Sequence, residues 1–335
     1  MKLPPAEIKK IAVFRALQLG DLLCAIPAIR ALRRAYPDAE ITLLGLPWAA
    51  GFVQRFNAYF DRFIHFPGYP DLPEQEYNEE AFRFFLQRVC NERFDLVLQM
   101  QGNGTIVNQL VHQMNARYVA GFHNGDEYSE KDLFLAYPNF GSEVNRHLLL
   151  MKHLGIPDAG AHLEFPLYEN DYIELENLLL PVTAGKYVCI HPGSRGSWRQ
   201  WPPAYFALLA DYMNQQGYMP VITGTIDEMD ITREVRKCLR QPAIDLTGQT
   251  SLGALAALIK DAFFIISNCT GVAHVAAAVR TPGIIVSMDG EPHRWGHPVH
   301  RMIDWTKNHR LDTVVLQTEA LVEELKAKLS APDYA

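Results

Sequence analysis

Four short segments carry residue types suited to holding and displacing a phosphate-linked group. The first is R-A-L-Q-L-G-D-L-L, in which Asp21 follows Gly20 at the opening of an apolar-periodic stretch. From position alone, a helix cap is the favoured reading of Asp21, an arrangement worth ~1 kcal/mol. The functional reading is a carboxylate kept ionised by a helix N-terminus and able to take a proton from an attacking hydroxyl. The second segment is H-P-G-S-R-G-S-W-R-Q-W-P, residues 191–202. Gly193 and Ser194 offer unhindered N–H groups and a hydroxyl, while Arg195 and Arg199 offer charge, a set suited to phosphate oxygens. A solvated linking loop is the alternative, and two arginines, two glycines and two tryptophans beside a strand end argue against it.

The third segment, T-G-T-I-D-E-M-D, brings Glu228 to the start of a helix, where it suits ribose hydroxyls or simply the helix dipole. The fourth, S-N-C-T-G-V-A-H, follows the apolar run Phe263 to Ile266 and leads into an Ala-rich helix. Thr270, Gly271 and the first helical N–H groups there form an anion site. His274, one turn in, reads equally as a core histidine or a ligand-facing one. Neither G-x-x-x-x-G-K-[ST] nor G-x-G-x-x-G occurs, which removes support from P-loop and standard NAD readings. His293, His297 and His300 lack the regular spacing of a metal site, so a metal is rejected.

The elements that must position these segments follow from the rhythm of the chain. Short β-rich runs at residues 11–14, 41–44, 63–66 and 96–98 alternate with helical patterns, which calls for a parallel sheet covered by helices. In the helix after the first run, Leu22, Leu23, Ile26, Ile29 and Leu32 make the buried stripe, with Arg30, Arg33 and Arg34 mostly off it. The rhythm lapses between about Asn124 and Asp171, where single helical turns are expected, and restarts at Tyr187. The expectation is α/β: two doubly wound Rossmann-like domains, residues 1–168 and 182–315, with a linker near 166–181. A last helix within 316–335 is expected to pack back on the first domain. Ligands in such sheets sit beyond the carboxyl ends of the strands, where all four segments fall.

A chain of 335 residues suits two domains of usual size. The net charge of −7 lies without a block of one sign, which makes duplex nucleic acid an unlikely partner. Five scattered cysteines read as reduced thiols of a cytoplasmic protein. No signal-peptide core and no apolar run of the ~20 residues a membrane span requires are expected.

Taken together, the segments resemble glycosyltransferase family 9, the lipopolysaccharide heptosyltransferase type, over nearly the whole chain. The resemblance rests on L-G-D-L-L-C-A-I-P-A-I-R-A-L-R-R-A-Y-P, H-P-G-S-x5-Q-W-P-P-A-Y-F, D-L-T-G-Q-T-S-L-G-A-L-A-A-L-I and S-N-C-T-G-V-A-H-V-A-A-A-V-R-T-P, in that order. It implies a GT-B architecture, two Rossmann-like domains facing across a cleft. It also implies an inverting, metal-independent transfer without cofactor, from ADP-heptose to a lipopolysaccharide-core or similar glycan acceptor. Carried over residue by residue, it makes Asp21 the general base, Ser194 a phosphate contact, Glu228 the ribose contact and Thr250 part of the base pocket. Thr270, Gly271 and His274 match the D-T-G-x-x-H segment around diphosphate and sugar.

Two positions depart from the family pattern. Arg199 stands where a lysine is common, and Arg's planar fork differs in geometry from an ammonium. Cys269 stands for the aspartate implied to contact the donor sugar, a weak acceptor in place of a strong one. These departures keep two alternatives open: a nucleotide-sugar-binding protein without transfer, and a GT-B transferase with another donor sugar and acceptor. A lipid-linked acceptor would bring the protein to the inner face of the membrane as a peripheral visitor.

Overall fold

The computed structural model describes residues 1–125, 132–307 and 309–330. It divides into two compact units, residues 1–166 and 167–335. The first holds strands β1 (Lys10–Phe14), β2 (Glu40–Gly45), β3 (Arg62–His65), β4 (Leu96–Gln99), β5 (Tyr118–His123) and β6 (Phe134–Ala136). Around them lie helices α1 (Leu19–Ala35), α2 (Ala49–Arg55), α3 (Glu79–Glu92), α4 (Val107–His112) and α5 (Glu143–His153). The strand order is β3-β2-β1-β4-β5-β6, all parallel, with Ile11 beside Ile41 on one side and Leu96 on the other. Strands covered on both faces read as continuous apolar runs, as A-V-F and L-V-L do here.

The second unit opens with α6 (Glu169–Asn177) and continues with β7 (Tyr187–His191), α7 (Pro203–Gln215), β8 (Met219–Ile222), α8 (Met229–Cys238), β9 (Ile244–Asp245), α9 (Leu252–Lys260), β10 (Phe264–Asn268) and α10 (Gly271–Ala278). It ends with β11 (Gly283–Ser287), α11 (Pro292–Trp295), β12 (His300–Asp304) and α12 (Leu311–Ser330). Its order is β12-β11-β10-β7-β8-β9, again parallel throughout, with Ile266 beside both Ile190 and Ile284. In each sheet the strand order reverses once, between β1 and β4 and between β7 and β10. At such a reversal adjacent loops diverge to opposite faces and leave a crevice at the carboxyl ends.

Four details differ from the sequence reading. Residues 166–181 are not a bare linker: α6 lies within them, and Glu174 accepts from the Ser251 N–H at 2.7 Å and hydroxyl at 2.6 Å, joining α6 to the start of α9. The region 124–171 holds β6 and the eleven-residue α5, although 126–131 lie outside the described residues. Arg30 is buried, because its guanidinium donates to the carbonyls of Ala159, Gly160 and His162 and to Glu164. The last helix begins at Leu311, and its Val314, Leu321 and Val322 join Phe206, Leu209 and Met213 in the core of the second unit. Apolar side chains one and two turns apart on α12 find that core within their own unit, where the sequence reading set them against the first domain. Residues 331–335 of that segment lie outside the described residues.

Pro27 sits inside α1 without ending it. Cys24, Cys189 and Cys269 are buried and Cys238 is exposed. No described helix is long and apolar enough to cross a membrane.

Candidate active site

In the first unit, Asp21 is the third residue of α1 and not its cap; Gln18 is the cap and its side chain makes no capping bond. An acid in the first turn meets the positive end of the helix dipole, which favours its ionised form. Behind it stands Arg15, one residue past β1 and only 1% exposed. Its Nε donates to the Asp21 carbonyl at 2.8 Å, its Nη1 donates to the Met100 carbonyl after β4, and its Nη2 lies 3.8 Å from Asp21 Oδ1 and 3.3 Å from Glu143 Oε1. Gln101, also past β4, accepts from the Ala16 N–H at 2.7 Å. The β1 and β4 loops are thus tied together at the reversal of the sheet.

The second unit repeats this arrangement with other residues. Asn268 ends β10, wholly buried; its Nδ2 donates to the Pro192 carbonyl at 2.7 Å, and its Oδ1 accepts from the Trp201 N–H at 2.9 Å. Gln200 donates to the Ser194 carbonyl at 3.0 Å. Both ends of the loop 192–201 are therefore pinned to the strand that launches Cys269, Thr270 and Gly271. Trp201 anchors the loop by full burial against Tyr205, Phe206 and Trp305.

On that frame Gly193 and Ser194 are buried, Arg195 is exposed, and Arg199 is half-buried in a 3₁₀ turn, Ser197–Arg199. Thr270 precedes α10 in extended conformation, φ −145° and ψ 178°, and makes no side-chain cap. The amides that open α10 lie beside the Ser194 loop because β10 and β7 are neighbours. Glu228 follows β8; its Oε2 accepts from Thr225 N–H at 2.8 Å and Thr225 hydroxyl at 3.1 Å and lies 3.7 Å from His191 Nε2. Burial lowers the His191 pKa, against the opposing pull of Glu228, so this imidazole is neutral near pH 7. Thr250 is half-buried just before α9.

Three contributors were not singled out in the sequence reading: Arg15, Asn268 and Asp289. Asp289 follows β11, and Arg199 Nη2 donates to its Oδ2 while Ser287 hydroxyl donates to its Oδ1 at 2.7 Å. Burial alone would raise its pKa, but the Ser287 hydroxyl and the Arg199 charge outweigh this and hold it below the usual carboxylate range. Cys269 is buried, and burial followed by the nearby Asp289 charge pushes its thiol up to about 12. It is therefore a neutral, weakly polar group at neutral pH. The signals for these residues were faint: Arg15 and Asn268 stand inside segments already marked but were passed over there, and Asp289 opens the stretch D-G-E-P-H that carries His293.

His274 Nδ1 lies 2.6 Å from His297 Nε2, a hydrogen bond in which one imidazole donates to the other. Within the run 293–300, His293 is exposed, while the His297 and His300 rings lie 6.0 Å apart, centroid to centroid. Burial pushes His297 down to about 4 and His300 to about 3.

The chain is similar to known proteins over most of its length. It is 26% identical over 301 residues to lipopolysaccharide heptosyltransferase 3 of Escherichia coli, covering 86% of this chain and 83% of that one. It is 31% identical over 284 residues to lipooligosaccharide heptosyltransferase 2 of Haemophilus influenzae, covering 79% of each. The fold matches a family 9 glycosyl transferase from Veillonella parvula, with 19% identity, TM-score 0.79 and coverage of 97% of this chain and 99% of that one. These doubly wound units are those of the GT-B class. A model of glycosyltransferase family 9 (heptosyltransferase) matches residues 82–323. On that match, over more than half its length, the chain belongs to glycosyltransferase family 9.

Proposed function

We propose that this glycosyltransferase moves heptose from ADP-heptose to a hydroxyl of a lipopolysaccharide-core acceptor, by inverting displacement and without a metal. The observation that carries the donor half is the Asn268 bridge. It ties the Ser194 loop to the strand that launches α10 at the sheet reversal, and backbone N–H groups, the Ser194 hydroxyl and Arg199 there are suited to the anionic oxygens of a diphosphate. The relatives whose names specify lipopolysaccharide and lipooligosaccharide heptosyl transfer support the choice of sugar and acceptor.

In this reaction the acceptor oxygen bonds to the anomeric carbon as the bond from that carbon to the diphosphate oxygen breaks. The leaving ADP takes the electron pair, and Asp21 takes the hydroxyl proton. Negative charge grows on the diphosphate, so donors fixed beforehand lower the barrier more than donors that must reorient. Thr270, Gly271 and Ser194 supply such donors. Arg199 supplies the cation, Arg195 an outer one, Glu228 meets the ribose, Thr250 the base, and His274 lies toward the sugar. With a lipid-linked acceptor, the enzyme works as a peripheral visitor at the inner membrane face.

Calorimetric titration with ADP-heptose, ADP, UDP and UDP-sugars tests the donor, and ADP release on core-truncated lipopolysaccharide with and without EDTA tests the reaction. Selective ADP-heptose binding and EDTA-resistant turnover are expected. Preference for another nucleotide sugar would replace the substrate, and donor binding without turnover on any acceptor would leave a sugar-nucleotide-binding protein.

A further inference from the structure

We propose that Arg15, held by Glu143, is the positioning residue for Asp21, setting the direction of its carboxylate for the acceptor hydroxyl. The inference rests on Asp21 being the base. Its basis is that one guanidinium addresses the same residue twice: Nε donates to the Asp21 main-chain carbonyl at 2.8 Å, while Nη2 faces the Asp21 carboxylate at 3.8 Å. The guanidinium is hydrogen-bonded to the Asp21 main chain and so fixes a positive charge beside its carboxylate, which biases the direction the carboxylate takes.

The grip is itself braced. Nη1 donates to Met100 past β4, and Nη2 meets Glu143 Oε1 at 3.3 Å at the first residue of α5. Arg146 Nη1 lies 3.6 Å from Glu143 Oε2 and donates to Tyr137 hydroxyl at 3.0 Å, so two cations and two carboxylates alternate. His147, packed at 3.4 Å from Glu143 Oε1, is kept neutral near pH 7 by burial, which pushes it down to about 4. Arg15 and Glu143 are 1% and 5% exposed at the side chain and Arg146 10%, whereas Asp21 is 25% exposed. Burying such charge costs free energy that an apolar core of the same volume would not, and the whole arrangement opens outward at the one carboxylate able to meet substrate.

The test is a double-mutant cycle on ADP release, with ADP binding and melting temperature as controls. Arg15→Lys keeps the charge but loses the fork; kcat should fall about 30- to 100-fold with KM and ADP affinity within about threefold. In an Asp21→Asn background, the same change should cost less than about threefold, since the carboxylate it positions is gone. Glu143→Gln, which retains an acceptor for Arg15 without its charge, should lower kcat about 5- to 20-fold and likewise lose its effect beside Asp21→Asn. It carries the test if Arg15→Lys does not fold. Wild-type kcat in Arg15→Lys, or losses that multiply in the double variants, would overturn the positioning role. Full activity in Asp21→Asn alone would instead overturn the base assignment.

Discussion

The carboxylate of Glu228 fills the space that a side chain on Gly193 would need. A Cβ built on Gly193 would stand 2.1 Å from Glu228 Cδ and Oε1, well inside contact distance. A side chain at Gly193 would therefore push the movable end of Glu228 away from its place beside Thr225 and His191. Gly193→Ala should displace the Glu228 carboxylate and weaken ADP binding at least about tenfold, with little loss of stability, because the group that moves is the end of a flexible side chain. Unchanged ADP affinity by calorimetry would show that the approach of these two residues has no part in nucleotide binding.

Asp21→Asn should reduce turnover by about a thousandfold, within the range a positioned base contributes, while ADP affinity stays within about threefold. Asn keeps the helix position and the shape of the side chain but cannot take the proton. Equal loss of turnover and ADP binding would identify Asp21 as a structural residue of α1.

Arg199 is paired with Asp289 through a carboxylate that Ser287 also holds. Arg199→Lys should lower kcat about 10- to 100-fold, because an ammonium cannot both hold Asp289 and reach a phosphate oxygen of the proposed donor as a planar fork would. Asp289→Asn removes the competing anion, so ADP affinity should rise a few fold as kcat falls. Steady-state kinetics beside calorimetry separates the two effects, and parallel losses in both variants and both readouts would contradict this division of roles.

Cys269 should resist alkylation in the folded protein at pH 8, since its thiol is buried and its pKa is pushed up to about 12. Cys238, exposed at the end of α8, should label first. Mass spectrometry after brief iodoacetamide treatment reads the order, and early labelling of Cys269 would contradict its burial. Cys269→Asp should lower the melting temperature, because it adds a carboxylate beside Asp289 in a nearly dry position.

Acid should weaken the fold before the carboxylates titrate. His147, with Arg15, Glu143 and Arg146 around it, has its pKa lowered to about 4 by burial and by the Arg15 charge, against the opposing pull of Glu143. The unfolded chain binds this proton near pH 6.5 and the folded one does not, so stability is full above that value and is lost as pH falls toward 4. The linkage amounts to about 3 kcal/mol for this residue, and His297 and His300 act in the same direction. His147→Leu should therefore flatten the fall in melting temperature between pH 7 and 4.5. An unchanged slope would remove His147 as a cause.

The sequence by itself determined the two doubly wound units and put the four candidate loops at strand ends. Parallel strands buried on both faces must be apolar runs, and the glycine, hydroxyl and arginine segments interrupt them at the strand ends. Helix α5 escaped that reading because part of its buried face is Glu143, Arg146 and His147, which charge pairing makes tolerable and which periodicity counts as exposed. Helix α6 was missed for a related reason: only Asp171 of it is buried, so it shows no apolar stripe. Tertiary structure alone decided that Asn268 reaches back 76 residues to Pro192, that Arg199 meets Asp289 across 90, and that Arg15 meets Glu143 across 128. Such partners meet only once the strands and their covering helices have assembled, and a hydrogen bond between distant residues leaves no period in the chain.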